Sequence, residues 1–435
     1  MVVAGGAASP EGVGAAPAYD LVVVNARLHG RADPCSLGVV GDRIAAVADG
    51  PLTGTTTVDA RGQLVTPSFV DAHLHLCKVY TFTRFGDAAL REYTTGTMGG
   101  AMTSIELASQ VKDGYVEDVV YGCARRAVLE GLRHGVTHVQ AFADTDTRAG
   151  LEGVTALLRV RDDLRGVVRL DVVAFPQDGL LRDPGAEDLV RSAMDLGADV
   201  VGGIPWIEYD DEAAAEHVDR MCRLAADRGT RVAMLVDDAG DPALRTTEML
   251  ARAAIRHGLE GRVVACHARA VGTYPEPSFR RLVGLARDAG LGFVTDPHTG
   301  PLHLRAFDLH DAGLPVAVGQ DDIEDAYYPF GRHDMLEVAF LAGHLLGSPT
   351  LQRMDDLLGM VTTSAARVLG IEGHELAVGA PASLVVLDGA TTHEVLTRHA
   401  PPRVVVSRGR VVARNDSSSW LADGLETTIG SQGDP

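Results

Sequence analysis

Chemistry-bearing side chains in this sequence concentrate in a few short segments. His73 and His75 stand in AHLHL, and residues two apart on a strand project to one face, so both imidazoles can reach one metal ion from a rigid element. Asp321 and Asp322 end PVAVGQDD, where a carboxylate would complete a two-histidine, one-carboxylate set. His267 ends RVVACH, a third strand-end imidazole suited to orienting a water or completing the coordination. Gln177 follows VVAFP, and its amide can both donate and accept, as recognition of a lactam or cyclic urea edge requires. Singly, each has an ordinary explanation: solvated loop aspartates, a hydrogen-bonded core histidine, a loop-capping glutamine. Their placement on the elements that carry them separates the readings.

Eight short apolar runs read as buried strands: SFVDAHLH, VTHVQAFA, VRLDVVAF, DVVGGI, RVAMLV, RVVACH, LGFVTD and PVAVGQD. Amphipathic stretches such as VEDVVYGCARRAVLEGLRHG, DEAAAEHVDRMCRLAADRG, LRTTEMLARAAIRHG and PSFRRLVGLARDAG lie between them, each closing on a glycine as helix ends do. Strand–helix alternation of this kind predicts an α/β chain, a (β/α)8 TIM barrel over residues 67–370, with its chemistry at the C-terminal ends of the strands. In a closed barrel the first and eighth strands are neighbours, which brings His73 and His75 to Asp321. Short β-branched runs on both sides, YDLVVVNARLHG to about 66 and ASLVVLDG with PPRVVVSRGRVVARND, predict small antiparallel strands. Together they make a discontinuous β-sandwich from 18–66 and 371–415. Residues 1–17 and 416–435, rich in Gly, Ala, Ser and Asp, read as flexible tails.

Composition bounds the partners. With 39 Lys and Arg against 59 Asp and Glu the formal charge is −20, so nucleic acid and anionic membrane surfaces are repelled. No apolar run is long enough to span a bilayer, and the N-terminal stretch lacks the basic n-region of an export signal. Cys35, Cys77, Cys123, Cys222 and Cys266 are scattered, odd in number and without a CxxC pair, which points to a reduced compartment and a cytoplasmic protein. A small-molecule substrate is the expected partner, and a homo-oligomer is compatible with everything above.

FVDAHLHL, DVVAFPQDGLL, LGADVVGGIP, ACHARAV, GQDDIEDAYYPFGRHDML, TTSAARVLGI and ASLVVLD together resemble the amidohydrolase superfamily, in particular its bacterial cytosine deaminase branch, across roughly residues 20–412. The resemblance implies one divalent ion, zinc or iron, held in part by His73, His75 and Asp321. It also implies His267 beside the attacking water, Gln177 as ligand of the substrate amide and Asp322 as a ring contact. Its chemistry is hydrolysis at an amidine-like ring carbon, a carboxylate moving the protons and ammonia leaving.

The departures from that family cluster at one end of the barrel. Where the strand-five motif reads His-Cys-Asp-Glu, this chain has Leu235-Val236-Asp237-Asp238. A metal histidine is thus replaced by a side chain that coordinates nothing. Asp238 takes the acid/base position with one methylene less reach, while Asp237 and His298 are candidates to replace the missing ligand. Phe142, Trp206 and Tyr327 stand where the family usually has His, His and Trp, and are expected to shape a more apolar or aromatic substrate pocket. Cys77 and Lys78 directly follow the histidine pair and are further candidates to line it.

The expected protein is therefore a metal-dependent hydrolase acting on a nitrogen heterocycle or aromatic substrate, by deamination of a cytosine-like compound. Dechlorination or cyclic amide opening would use the same site. The lost histidine also admits a metal-free ligand-binding pseudoenzyme, and a two-histidine, one-carboxylate set admits an oxygen-using iron protein.

Overall fold

The computed structural model describes residues 19–347, 350–416 and 420. The expected tails at 1–17 and 416–435 lie outside the described residues except for Asp416 and Trp420.

Strands β1 (Tyr19–Leu28), β2 (Cys35–Val40), β3 (Arg43–Ala48), β4 (Gly54–Asp59) and β5 (Leu64–Pro67) come from the N-terminal side. The barrel strands follow: β6 (Phe69–Leu74), β7 (Val136–Asp144), β8 (Arg169–Phe175), β9 (Val200–Gly203), β10 (Arg231–Val236), β11 (Val263–His267), β12 (Gly292–Thr295) and β13 (Val316–Val318). Near the C-terminus come β14 (Leu384–Val386), β15 (Val404–Ser407) and β16 (Arg410–Arg414).

All eight barrel strands fall on the expected runs and pair in parallel, in the order β13-β12-β11-β10-β9-β8-β7-β6. Closure is made by Asp321 itself: its N–H donates to the His73 carbonyl at 2.8 Å, and its own carbonyl accepts from the His75 N–H at 2.7 Å. The seam of the barrel and the proposed ligands are thus the same residues. The four expected helices are observed at Glu117–Arg133, Asp211–Arg228, Thr246–His257 and Glu276–Ala289. The last three end on Gly229, Gly258 and Gly290 at φ 65°, 66° and 58°, left-handed conformations in which a Cβ is unfavourable.

The flanking strands form one eight-stranded assembly, β16-β15-β14-β5-β1-β2-β3, with β4 also on β1. β1 pairs with β2 and β4 as far as Ala26, and Arg27 and Leu28 pair with β5, so β1 passes from one layer to the other. Val23, Leu37 and Ile44 from one side and Val65, Leu384 and Val406 from the other bury into a common apolar core. Contrary to the uniformly antiparallel expectation, β4 and β5 run parallel to β1. The β2–β3 hairpin intervenes, and the chain must cross back before pairing with β1 again.

A segment with no predicted elements, between β6 and the helix at 117, contains the helix Met98–Ala108. Met98, Ala101, Met102 and Ile105, at helical spacing, pack against the apolar cluster that includes Trp206, Ile207, Leu235 and Ala239, so this helix roofs the mouth of the barrel.

Candidate metal centre and active site

Four strand-end side chains converge at the roofed mouth. One donor atom from each of His73, His75, His267 and Asp321 lies within 4.8 Å of all the others, and all four residues are buried. Nε2 of His73 and of His75 stand 3.2 Å and 3.7 Å from Oδ1 of Asp321. Both ring nitrogens of His73 and Nδ1 of His75 are buried with no hydrogen-bond partner in the structure. Buried polar atoms without partners are costly, and three imidazoles around one carboxylate form a donor set that suits a divalent cation. By this test the residues present fit one metal ion.

The backbone is bent to aim these groups. His267 and Asp321 have φ of 65° and 64°, and Asp237 has 48°, uncommon values for residues with a Cβ that gather here at three strand ends. The pairing of β6 with β7 also shifts register between Asp71 and Leu74, around His73. Behind the histidines, Oδ1 of Asp71 accepts the N–H groups of His73 and Gln320 at 3.2 Å and 3.0 Å, and Oδ2 lies 3.1 Å from Nε2 of His333. Oδ2 of Asp296 lies 3.2 Å from Nδ1 of His267. A carboxylate on the far ring nitrogen orients a ligand imidazole and leaves Nε2 for the ion.

Electrostatics in this cluster are strong. Burial and the neighbouring Lys78 hold His75 well below the ordinary histidine pKa. Burial opposes charge on His267, but Asp238, Asp321 and Asp296 outweigh it and raise the imidazole to about 9. Burial likewise opposes ionisation of Asp321, yet His267, His73 and His75 hold it well below the usual carboxylate range. Asp322 goes the other way, pushed well up by burial and by Asp321 and Asp325.

Beside the cluster is a cavity lined by His75, Lys78, Gln177, Asp238, His267, Asp321 and Asp322 on its polar side and by Ala101, Ile105, Ile204, Trp206, Leu235 and Tyr327. Nζ of Lys78 donates to Oε1 of Gln177 at 2.8 Å. An ammonium has no acceptor, so the Gln177 oxygen must face Lys78 and its NH2 is the group left for a ligand. Burial disfavours the Lys78 ammonium, but Asp144, Asp322 and Asp325 keep it above the ordinary lysine value. Nε1 of Trp206 and Oδ1 of Asp322 are buried without partners, two polar atoms open to a ligand.

Three expected positions differ. Asp237 does not join the donors: after β10 its backbone turns left-handed, which breaks strand alternation and swings the side chain to the helix Thr246–His257. There Oδ1 accepts from Thr246 N and Oγ1, both at 2.7 Å, and Oδ2 from Thr247 N at 3.2 Å and the Tyr274 hydroxyl at 3.0 Å. His298 also stays outside the four-residue group, its Nε2 donating to the Gln320 carbonyl at 3.0 Å. Phe142 is fully buried and lies beneath the histidines, ring centroid 4.2 Å from that of His73, instead of on the cavity wall. Trp206, Tyr327, Gln177, Asp322, Asp238 and Lys78 are on that wall.

Several buried charged groups escaped the sequence reading, two of them directly behind the cluster. Asp296 backs His267, and Arg269 donates from Nε to Oδ1 of Asp238 at 2.6 Å. Both lay in segments already singled out, LGFVTD and ACHARAV, and the available signal was a charged side chain at a strand end predicted to be buried.

Comparison with known proteins agrees with this geometry. Residues 56–413 match the model of the amidohydrolase family. The N-isopropylammelide isopropyl amidohydrolase of Pseudomonas sp. strain ADP is 29% identical over 92% of this chain and 98% of its own length. The pterin deaminase of Rhizobium rhizogenes is 28% identical over 82% of each chain. The crystal structure of 5-methylcytosine deaminase from Klebsiella pneumoniae, liganded with 5-fluorocytosine, superposes with a TM-score of 0.84 at 28% identity, covering 92% of this chain and 99% of that one. Fold, donor cluster and likeness along nearly the whole chain converge: this protein is an enzyme of the amidohydrolase family, in its cytosine deaminase-like branch.

Proposed function

We propose that the protein is a metal-dependent hydrolase that attacks a ring carbon of a nitrogen heterocycle and releases an amine, most simply ammonia from a cytosine-like compound. The observation that carries this reading is the set of four buried donors, with unpartnered imidazole nitrogens, opening onto a cavity with one polar and one apolar side. His73, His75, His267 and Asp321 would hold one zinc or iron ion. Such an ion, when bound, supplies Lewis-acid polarisation and a water made more acidic.

The remaining work falls to the chain's own groups. Asp238, on the cavity wall, is the carboxylate placed to take a proton from the attacking water and return one to the leaving nitrogen. Gln177, its oxygen held by Lys78, presents N–H groups to a ring carbonyl, and Asp322 faces the ring edge. Trp206 and Tyr327 supply aromatic wall, and the roof formed by Ala101 and Ile105 excludes water. The catalytic unit is the barrel at 67–370, with 18–66 and 371–415 as its accessory sandwich. The described residues contain no helix long and apolar enough to cross a membrane, and the reading of a cytoplasmic enzyme rests on the five scattered cysteines without a CxxC pair.

Metal analysis of the purified protein, with ammonia or amine release measured on cytosine, 5-methylcytosine, N-isopropylammelide and pterin, tests the reading. Near one equivalent of zinc or iron and turnover abolished by chelation are expected. Retention below about 0.2 equivalents after supplementation, with turnover or ligand binding indifferent to chelators, would leave a metal-free binder instead.

A further inference from the structure

Arg269 stands in the single turn after β11, two residues beyond His267. It is 4% exposed, and its guanidinium is held in place on several sides. Nε donates to Oδ1 of Asp238 at 2.6 Å, Nη1 to the Leu302 carbonyl at 3.1 Å and Nη2 to Oγ1 of Thr299 at 2.9 Å. The Thr299 hydroxyl donates in turn to Oδ2 of Asp321 at 2.7 Å. Nη2 itself lies 3.4 Å from Nδ1 of His267 and 4.0 Å from Oδ2 of Asp321. The chain also makes room for this group, because a Cβ at Gly300 would stand 2.5 Å from Nη1.

A permanently charged guanidinium has therefore been built into the rim of a cation site. Of the residues at the end of β10, Leu235 has no donor and Asp237 is consumed by the helix Thr246–His257, so Asp238 is the carboxylate on that side able to turn toward an ion. Its bond to Arg269 ties it back. In the field at the four donors the two charges cancel as a pair, but each alone acts in the opposite sense to the other.

We propose that Arg269 is a positioning residue that holds Asp238 at the edge of the His73–His75–His267–Asp321 cluster and withholds it from the metal. The pair thereby sets how tightly the site binds a divalent ion and keeps Asp238 available for proton movement. This inference rests on the metal-dependent reading above.

Zinc dissociation constants, measured by chelator competition on the full-length protein stripped of metal, read the proposal without any substrate. Asp238→Asn leaves the guanidinium unopposed and is expected to weaken zinc roughly tenfold or more, whereas Arg269→Met leaves the carboxylate unopposed and is expected to tighten it by a similar factor. The double variant should return to within about threefold of wild type, and Arg269→Lys, which keeps the charge, should stay there too. Singles that shift in the same direction, or that both stay within about threefold of wild type, would overturn the proposal and leave the pair a scaffold element. Should Arg269→Met fail to fold, Asp238→Asn must still weaken zinc and Arg269→Lys must not tighten it. A wild type that retains no zinc, iron or manganese sinks the metal-dependent reading along with this one; normal stoichiometry with the wrong signs sinks this one alone.

Discussion

The two sides of the barrel mouth use the same kinds of residue for different ends. On the β6–β13 side, His73, His75 and Asp321 leave buried imidazole nitrogens without partners. On the β10 side, four donors satisfy the Asp237 carboxylate and Arg269 pairs with Asp238. Both sides are buried and acidic, so neither burial nor charge tells them apart. What separates a ligand from a brace here is whether the protein itself completes the hydrogen bonding of the group.

The sharpest way to break this contrast is to delete a donor on the unsatisfied side. His73→Ala or Asp321→Asn is expected to strip the metal and lower turnover on the order of a thousandfold or more, with folding retained by circular dichroism. Metal content unchanged in both variants would mean that the ion, if any, sits elsewhere.

On the satisfied side the expected effect is on stability. Asp237→Ala removes the acceptor for two backbone N–H groups and two hydroxyls at a helix start, and should cost roughly 2–4 kcal/mol in chemical denaturation without altering metal stoichiometry. Loss of metal at unchanged stability would reverse the assignment.

A smaller effect is expected from giving the β10 side a donor it lacks. Leu235→His should tighten zinc by about tenfold, and any accompanying gain in cytosine turnover would show that the missing ligand limits specificity. Tighter zinc with no such gain assigns the difference to the aromatic wall at Trp206 and Tyr327.

How far these sides can be read from sequence differs for a physical reason. All eight strands were legible because each is a short β-branched or apolar run, closed by Gly, Pro or Asp in all but β6 and β11, and the HxH at the end of the first points to the eighth through barrel closure alone. Leu235 on the cavity wall was legible from the family resemblance as a position without a donor. Asp237 misled because β10 ends at Val236 and the next residue turns to positive φ, which sends its side chain off the strand face. The Asp238–Arg269 bond was invisible because it joins the ends of two strands through a turn. The roof helix Met98–Ala108 went unseen because Gly99, Gly100, Thr103 and Ser104 are weak helix formers and the segment has no continuous polar face.

The smallest effect concerns a thiol beside the histidine pair. Burial first, and then Asp144, push the Cys77 thiol up to about 12, and Cys222 reaches about 12 in the same way, while Cys123 is partly exposed. An acid whose pKa lies that far above ambient pH stays protonated through the neutral range and gains thiolate only in strong base. Alkylation of the native protein near pH 8, followed by mass spectrometry, should therefore mark Cys123 and spare Cys77 and Cys222. Rapid labelling of Cys77 would mean that the packing around it opens to solvent far more than its burial implies.

The seam made by Asp321 has a practical consequence. Its main-chain bonds to His73 and His75 close the barrel whatever its carboxylate holds, so an ion bound there would be a passenger in the architecture and not a rivet. An emptied protein should keep its shape through purification and accept cobalt or manganese in place of the native ion, which opens the centre to spectroscopic reporters that zinc cannot provide.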